Sequence, residues 1–243
     1  MTGNPFTVLA SVDSTNNYAM AQVHAGLAKH GAAWFAREQH AGRGQRGKQW
    51  ATQPGENIIL STVIEPFLLV QQQFLLSAAI ALACYRFFSN YAGDETKIKW
   101  PNDLYWRDRK AGGILVENVL KGQDWKFAIA GMGININQTS FPDHLTNPVS
   151  LKQITGKNYN PIALAKELCN KLQEKYELLL TEDGKTIEAA YNNVLYKKGE
   201  TVTLKKNSAV FNCTVKGVNT FGQLITESAI EQLFNVGEVQ WVI

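Results

Sequence analysis

Lys97-Ile98-Lys99-Trp100-Pro101-Asn102-Asp103, read on through residue 136, is the stretch that decides the fold. Its period is two: Ile98 and Trp100 fall on one face of a strand, Lys97 and Lys99 on the other. Pro101-Asn102-Asp103 breaks the run, since proline removes a ladder donor and Asn and Asp favour turns. Further strands are expected at residues 104–106, 113–120 and 125–136, separated by a charged turn at residues 107–110 and by Lys121-Gly122-Gln123-Asp124. Strands joined by turns this short must be antiparallel, because a parallel return needs a crossover of a dozen or more residues. The centre of the chain is therefore a meander.

Upstream, residues 57–64 read as a strand rich in Ile, residues 73–91 as a buried helix and residues 33–37 as a short strand. Ala19, Val23 and Leu27 recur every four residues behind Ser14-Thr15-Asn16, a helix with Ser14 or Thr15 as its N-cap. Downstream, Asn160 caps a long amphipathic helix with Pro161 at its first position and Leu164, Leu168, Leu172 and Leu179 as its buried stripe. A second helical pattern covers residues 185–195. Short strands carrying Val202, Leu204, Val210, Cys213 and Val215 follow, punctuated by Gly199, Gly217, Gly222 and Gly237. The expected class is α+β: a largely antiparallel or mixed sheet with packed helices over residues 1–196, then a small β-barrel over residues 197–243. A unit of that size is marginal alone.

A formal net charge of +3 over 243 residues gives no case for nucleic-acid binding, so any attraction for polyanions is local. Cys84, Cys169 and Cys213 are scattered, with no CxxC pair and no histidine at metal-ligand spacing, which suits a reducing cytoplasm. The N-terminal residues show neither the charged nor the apolar region of a signal peptide. The apolar run at residues 74–88 contains Arg86 and is too short to span a bilayer, so it is expected to be a core helix and the chain to be free of membranes.

Gly42-Arg43-Gly44-Gln45-Arg46-Gly47 fits G-x-G-x-x-G letter for letter. That fingerprint needs a helix directly after the loop, and Lys48-Gln49-Trp50-Ala51-Thr52-Gln53-Pro54-Gly55 starts none, so dinucleotide binding is rejected. What remains is either an anion loop or a flexible basic surface loop. Glycine lets a backbone close on an anion, and the guanidinium fork suits phosphate or carboxylate. On pattern alone, Lys99 to Asp103 reads as a strand end with Trp100 in the core, Lys110 as a solvated turn lysine and Trp50 as core. Gly131 and Gly133 permit close approach of a ligand or a backbone. Asn135 and Asn137 point the same way and, if buried, need partners.

Order and spacing add what the single motifs lack. Ser14-Thr15-Asn16, then Gln39-x-x-Gly42-Arg43-Gly44-x-Arg46-Gly47-x-x-Trp50, then Lys99-Trp100-Pro101-Asn102-Asp103, then Lys110-x-Gly112-Gly113-Ile114-Leu115-Val116-Glu117, then Gly131-x-Gly133-x-Asn135 closely resemble the biotin–protein ligase family. The tail, with Gly222-Gln223-Leu224 and Gly237-Glu238-Val239, is similar to that family's C-terminal SH3-like barrel. Gln45 stands where the family usually carries an arginine, so backbone contacts there survive and a side-chain salt bridge does not. Ser14 lies almost at the N-terminus, whereas repressor members place a helix-turn-helix before it; the resemblance is to the short form lacking that DNA-binding domain.

The resemblance implies an ATP-dependent ligase that makes biotinyl-5′-AMP and passes biotin to a lysine of a biotin carboxyl carrier protein. ATP and biotin are its substrates, with Mg²⁺ expected on the triphosphate; a cytoplasmic monomer or homodimer without nucleic acid is expected. It places Ser14, Thr15, Asn16, Gln39, Arg43, Gly44, Gln45, Lys110 and Gly113 at biotin, and Arg46, Lys48, Trp50, Asn102 and Asn135 at ATP or the adenylate. Lys110, Arg43 and Asp103 become the catalytic candidates; metal-binding side chains are not assigned. Trp50 is suited to stacking on adenine and Asn135 to bidentate pairing with its edge. A lipoate–protein ligase has the same general design, and a non-catalytic biotin-binding or DNA-binding regulator is the reading from another class.

Overall fold

The computed structural model describes residues 1–181 and 184–242. The chain opens with a strand that its periodicity does not reveal, β1 (Phe6–Leu9), then α1 (Thr15–His24) and β2 (Ala33–Ala36). β1 and β2 pair in parallel, with α1 in the crossover. A four-residue strand with Thr7 and Val8 exposed carries no readable alternation. Ser14 stands at the N-cap of α1 as expected, although its side chain makes no capping hydrogen bond. The helix ends before Leu27, which is exposed rather than part of its buried stripe; Gly26, at φ 70°, turns the chain out of the helix.

β3 (Ile58–Ile64) and α2 (Gln73–Ala92) follow. At 20 residues α2 extends past its apolar run and, by length and composition, is long enough to cross a membrane, which the shorter run is not. In the fold it is the central helix, with Leu76, Ala79, Ile80, Ala83 and Phe87 buried. The meander is as expected: β4 (Thr96–Lys99), β5 (Asp103–Trp106), β6 (Arg109–Lys121) and β7 (Asp124–Ile134). It joins the first strands in one seven-stranded sheet, in the order β1-β2-β3-β7-β6-β5-β4, antiparallel except for the first pair.

One detail of the meander departs from the sequence reading. The charged turn contracts to Arg107 and Asp108, with Arg107 at φ 52°, so Lys110 belongs to strand β6 and not to a turn. Lys99, on the face opposite Ile98 and Trp100, is buried as they are. The lysine face is covered, because Tyr105, Tyr196 and Trp241 surround the Lys99 ammonium at 4.7, 6.0 and 5.3 Å from their ring centroids.

The remaining helices are α3 (Leu151–Thr155), α4 (Pro161–Thr181) and α5 (Gly184–Asn193). The short α3, unforeseen, starts at a capping box of Ser150 and Gln153. Asn160 caps α4 as expected, its Oδ1 accepting from the N–H groups of Ile162 and Ala163. A second sheet holds β8 (Thr201–Lys206), β9 (Ala209–Val218), β10 (Leu224–Glu227), β11 (Glu231–Phe234) and β12 (Gln240–Trp241), antiparallel in the order β11-β10-β9-β8-β12. It does not stand apart: Leu204, Val215, Val218 and Leu224 belong to the same buried cluster as α2 and the large sheet. The Trp100 indole N–H, behind the meander's proline, donates to the Gly222 carbonyl at 2.9 Å.

Candidate active site

The floor of the site is a buried polar network on α1, β3 and β6. β3 is apolar except for Ser61-Thr62, and Ser61 is fully buried beneath the first turn of α1. Its hydroxyl lies 2.7 Å from Thr15 Oγ1 and 2.6 Å from Asn16 Oδ1. A carboxamide oxygen only accepts, so the Ser61 proton goes to Asn16 and the Thr15 hydroxyl is left to donate. Gln39 Oε1 accepts from the Thr15 backbone N–H at 2.9 Å, tying the segment before the glycine loop to the helix start. Asn16 Nδ2 donates to the Leu115 carbonyl at 3.2 Å and to Glu117 Oε2 at 2.8 Å, both on β6. Gly131 makes this arrangement possible, because a Cβ there would sit 2.2 Å from Asn16 Oδ1.

Beside that network lies a charged pair. Lys110 Nζ is 2.7 Å from Asp103 Oδ1, each side chain partly open to solvent. Lys110 and Gly113 are three residues apart and would lie on opposite faces of a regular strand. The register shift opposite Leu104 and Tyr105 makes Ala111 an extra residue and swings Lys110 onto the glycine's face. The Trp50 ring covers this floor: a Cβ on Gly133 would meet its Cε2 at 2.4 Å and one on Gly113 its Cζ3 at 3.2 Å. Lys110 Nζ stands 5.8 Å from the Trp50 ring centroid, and the indole Nε1 is buried without a partner among the described residues. Burial of Lys99 behind this pair lowers its pKa to about 8, with the Asp103 charge opposing the shift and those of Lys110 and Lys48 adding to it.

The glycine loop forms the roof as a small hairpin. Trp50 N–H donates to the Gly42 carbonyl at 2.9 Å and Gly44 N–H to the Lys48 carbonyl at 2.7 Å, around a turn at Gln45–Gly47 with Arg46 at φ 58°. Gly42 has no alternative, since a Cβ there would lie 2.2 Å from the Trp50 carbonyl oxygen. Between loop and β6 is a cleft of about 450 Å³ lined by Arg43, Arg46, Lys48, Leu115 and Glu117. Arg43 is held by Glu117, Nη2 to Oε1 at 2.9 Å, and by Asn17 Oδ1 at 2.7 Å.

Residues 8–135 match the Biotin/lipoate A/B protein ligase family, more than half of the chain. The chain belongs to this family. Its relatives there include biotin–[acetyl-CoA-carboxylase] ligases and a human biotin–protein ligase. The biotin–[acetyl-CoA-carboxylase] ligase of Paracoccus denitrificans is 31% identical over 227 residues, 90% of this chain and 92% of the relative. The bifunctional ligase/repressor BirA of Escherichia coli is 34% identical over 186 residues, 74% of this chain; the chain spans 56% of that relative's length. The biotin protein ligase of Aquifex aeolicus, solved with biotin and ATP, shares the fold at a TM-score of 0.82 and 23% identity, covering 97% of each chain.

Most of the residues that the family resemblance names therefore converge: Ser14, Thr15, Asn16 and Gln39 in the cradle, Lys110, Asp103, Gly113 and Trp50 on the floor, and Arg43, Gly44, Gln45 and Lys48 in the roof. Three are placed differently from their expected tasks. Asn135 donates to the carbonyls of Val149 at 3.1 Å and Lys110 at 3.4 Å, which occupies both amide protons and leaves no bidentate edge for adenine. Asn102 Nδ2 donates to the Ile114 carbonyl and braces β6. Arg46 reaches across to the C-terminal sheet, Nη1 donating to the Gly237 carbonyl at 3.0 Å. Ser61, Glu117 and the buried Lys99 are absent from the sequence-derived site. Ser61-Thr62 inside an Ile/Leu/Val strand was the available signal for the first, and the carboxylate closing the Ile114–Val116 run for the second.

Proposed function

We propose that this chain activates biotin with ATP as biotinyl-5′-AMP and transfers it to a lysine of a carboxylase carrier protein. The observation that carries the reading is the Lys110–Asp103 pair at 2.7 Å, set beside a saturated polar cradle and beneath Trp50 and an arginine-bearing loop. A carboxylate does not acylate an amine at neutral pH without activation. In the first half-reaction a biotin carboxylate oxygen bonds to the α-phosphorus of ATP and pyrophosphate leaves. An anion attacking a polyanion needs cations in place beforehand; Lys110, Arg43 and Lys48 supply them, and one such preorganised donor is worth roughly 3–4 kcal/mol. Mg²⁺ is expected on the incoming triphosphate, where it would neutralise charge on the leaving pyrophosphate.

In the second half-reaction the carrier amine bonds to the acyl carbon and AMP leaves with the bond electrons. With a reference pKa near 10.4, about one lysine in 2,500 is deprotonated at pH 7. Asp103 faces the same floor and is the group to take the proton and orient the amine once Lys110 is drawn to the phosphate. Trp50 supplies the adenine platform. We place this chemistry in residues 1–196, with residues 197–243 as an SH3-like barrel docked on it and a cytoplasmic setting for the whole.

Substrate-dependent ATP–pyrophosphate exchange tests the reading, with biotin and lipoate as the two arms. Exchange with biotin and not with lipoate is expected; the reverse assigns the chain to the lipoate branch, and exchange with neither overturns ligase activity.

A further inference from the structure

Glu117 is the one carboxylate among the residues lining the cleft, which also presents Arg43, Arg46 and Lys48. In a site for a carboxylate and a triphosphate, a free negative charge opposes both ligands. Here neither oxygen is free. Oε1 is paired with Arg43 Nη2 at 2.9 Å, and Oε2 accepts from Asn16 Nδ2 at 2.8 Å and from Arg43 Nη1 at 3.4 Å. The carboxylate is consumed by one residue of the roof and one of the cradle.

The two contacts are not equivalent. Asn16 is fixed on every side, because its carboxamide also donates to Leu115 and accepts from Ser61. Arg43 is exposed and belongs to a hairpin whose further side-chain ties are Arg43 to Asn17 Oδ1 and Arg46 to the Gly237 carbonyl. Glu117 thus joins an exposed cation of the loop to an amide fixed in the cradle. Along β6, Gly113, Leu115 and Glu117 alternate onto one face, so the strand that forms the floor also carries the catch for the roof.

We infer that Glu117 is a positioning residue that latches the closed glycine loop to the cradle, holding the Arg43 guanidinium where the reacting anions meet. This role rests on the ligase reading for its kinetic consequence and on geometry alone for the loop. Glu117→Gln keeps an oxygen to accept from Asn16 and removes the ion pair with Arg43. Without substrates, trypsin is expected to cut after Arg43, Arg46 or Lys48 several-fold faster in this variant, at unchanged Tm. In biotin-dependent pyrophosphate exchange, KM for biotin is expected to rise about 5- to 10-fold while kcat changes less. In an Arg43→Met background the same substitution is expected to add nothing, since the partner is already gone.

Wild-type cleavage and KM in Glu117→Gln, a Tm lowered by several degrees, or full additivity with Arg43→Met each overturn the latch. If the wild-type protein shows no biotin-dependent exchange, the ligase reading fails, and the trypsin comparison still decides whether Glu117 holds the loop.

Discussion

The cradle and the roof of the site are built in opposite ways, one from buried neutral polar groups and the other from exposed cations. In the cradle, Ser14, Thr15, Asn16 and Ser61 are all buried, and the contacts of Thr15, Asn16 and Ser61 with Gln39 and β6 form a connected network. Such networks are rigid when satisfied and costly when any member is left alone. In the roof, Arg43, Arg46 and Lys48 are exposed, and the ion pair of Arg43 with Glu117 is of the surface kind worth about 0–1 kcal/mol. Positive φ at Arg46 and Gly47 adds no rigidity. The cradle is preorganised by folding, whereas the charged side chains of the roof are held only at the surface.

The comparison is open to breaking. Its largest consequence concerns the floor between the two regions: Lys110→Ala is expected to slow adenylate formation by about 10²–10³-fold with Tm unchanged, read by pyrophosphate exchange. Normal exchange would remove Lys110 from the chemistry. Next, Asp103→Asn is expected to leave exchange largely intact and slow transfer to a carrier lysine about 10²-fold; equal loss in both half-reactions marks Asp103 as structural or ATP-binding.

Stability sharpens the contrast itself. Asn16→Ala leaves Ser61 and Glu117 short of a partner and is expected to cost about 1–3 kcal/mol in urea unfolding, against less than about 0.5 kcal/mol for Arg46→Ala in the roof. Equal losses would erase the distinction. The smallest effect is a pH dependence at Lys99, whose pKa is depressed to about 8 in the folded chain by burial. Above pH 8 the unfolded chain binds a proton that the folded one has lost, so this lysine's penalty is full below pH 8 and fades as pH rises toward 10. Lys99→Met is accordingly expected to raise Tm by a few degrees at neutral pH and by less at about pH 10; a gain independent of pH would mean that Lys99 carries no buried charge.

Much of the fold was legible because its signals are local. Alternation and short turns from Lys97 onward specify the meander, and Asn160-Pro161 specifies where α4 begins. The site was legible as a list of residues, because five motifs keep their order and spacing. Its internal geometry was not. The burial of Lys99 was not legible, because nothing near it in sequence shows that Tyr196 and Trp241 return to cover it. Lys110 looked like a turn residue because the bulge at Ala111 depends on how β5 pairs with β6. Asn135 looked free to read a base because its partners Val149 and Lys110 lie outside its own strand.

By itself, then, the sequence determined the class of fold, the family, and the set of polar residues around the glycine loop, all of which follow from periodicity and from order along the chain. Tertiary structure alone decided which of those residues brace and which face the cleft. It brought Asn16 to Ser61 across 45 residues and to Glu117 across 101, and Arg46 to Gly237 across 191. Contacts over such separations form only when strand pairing and a shared core bring the elements together, and no local pattern records them.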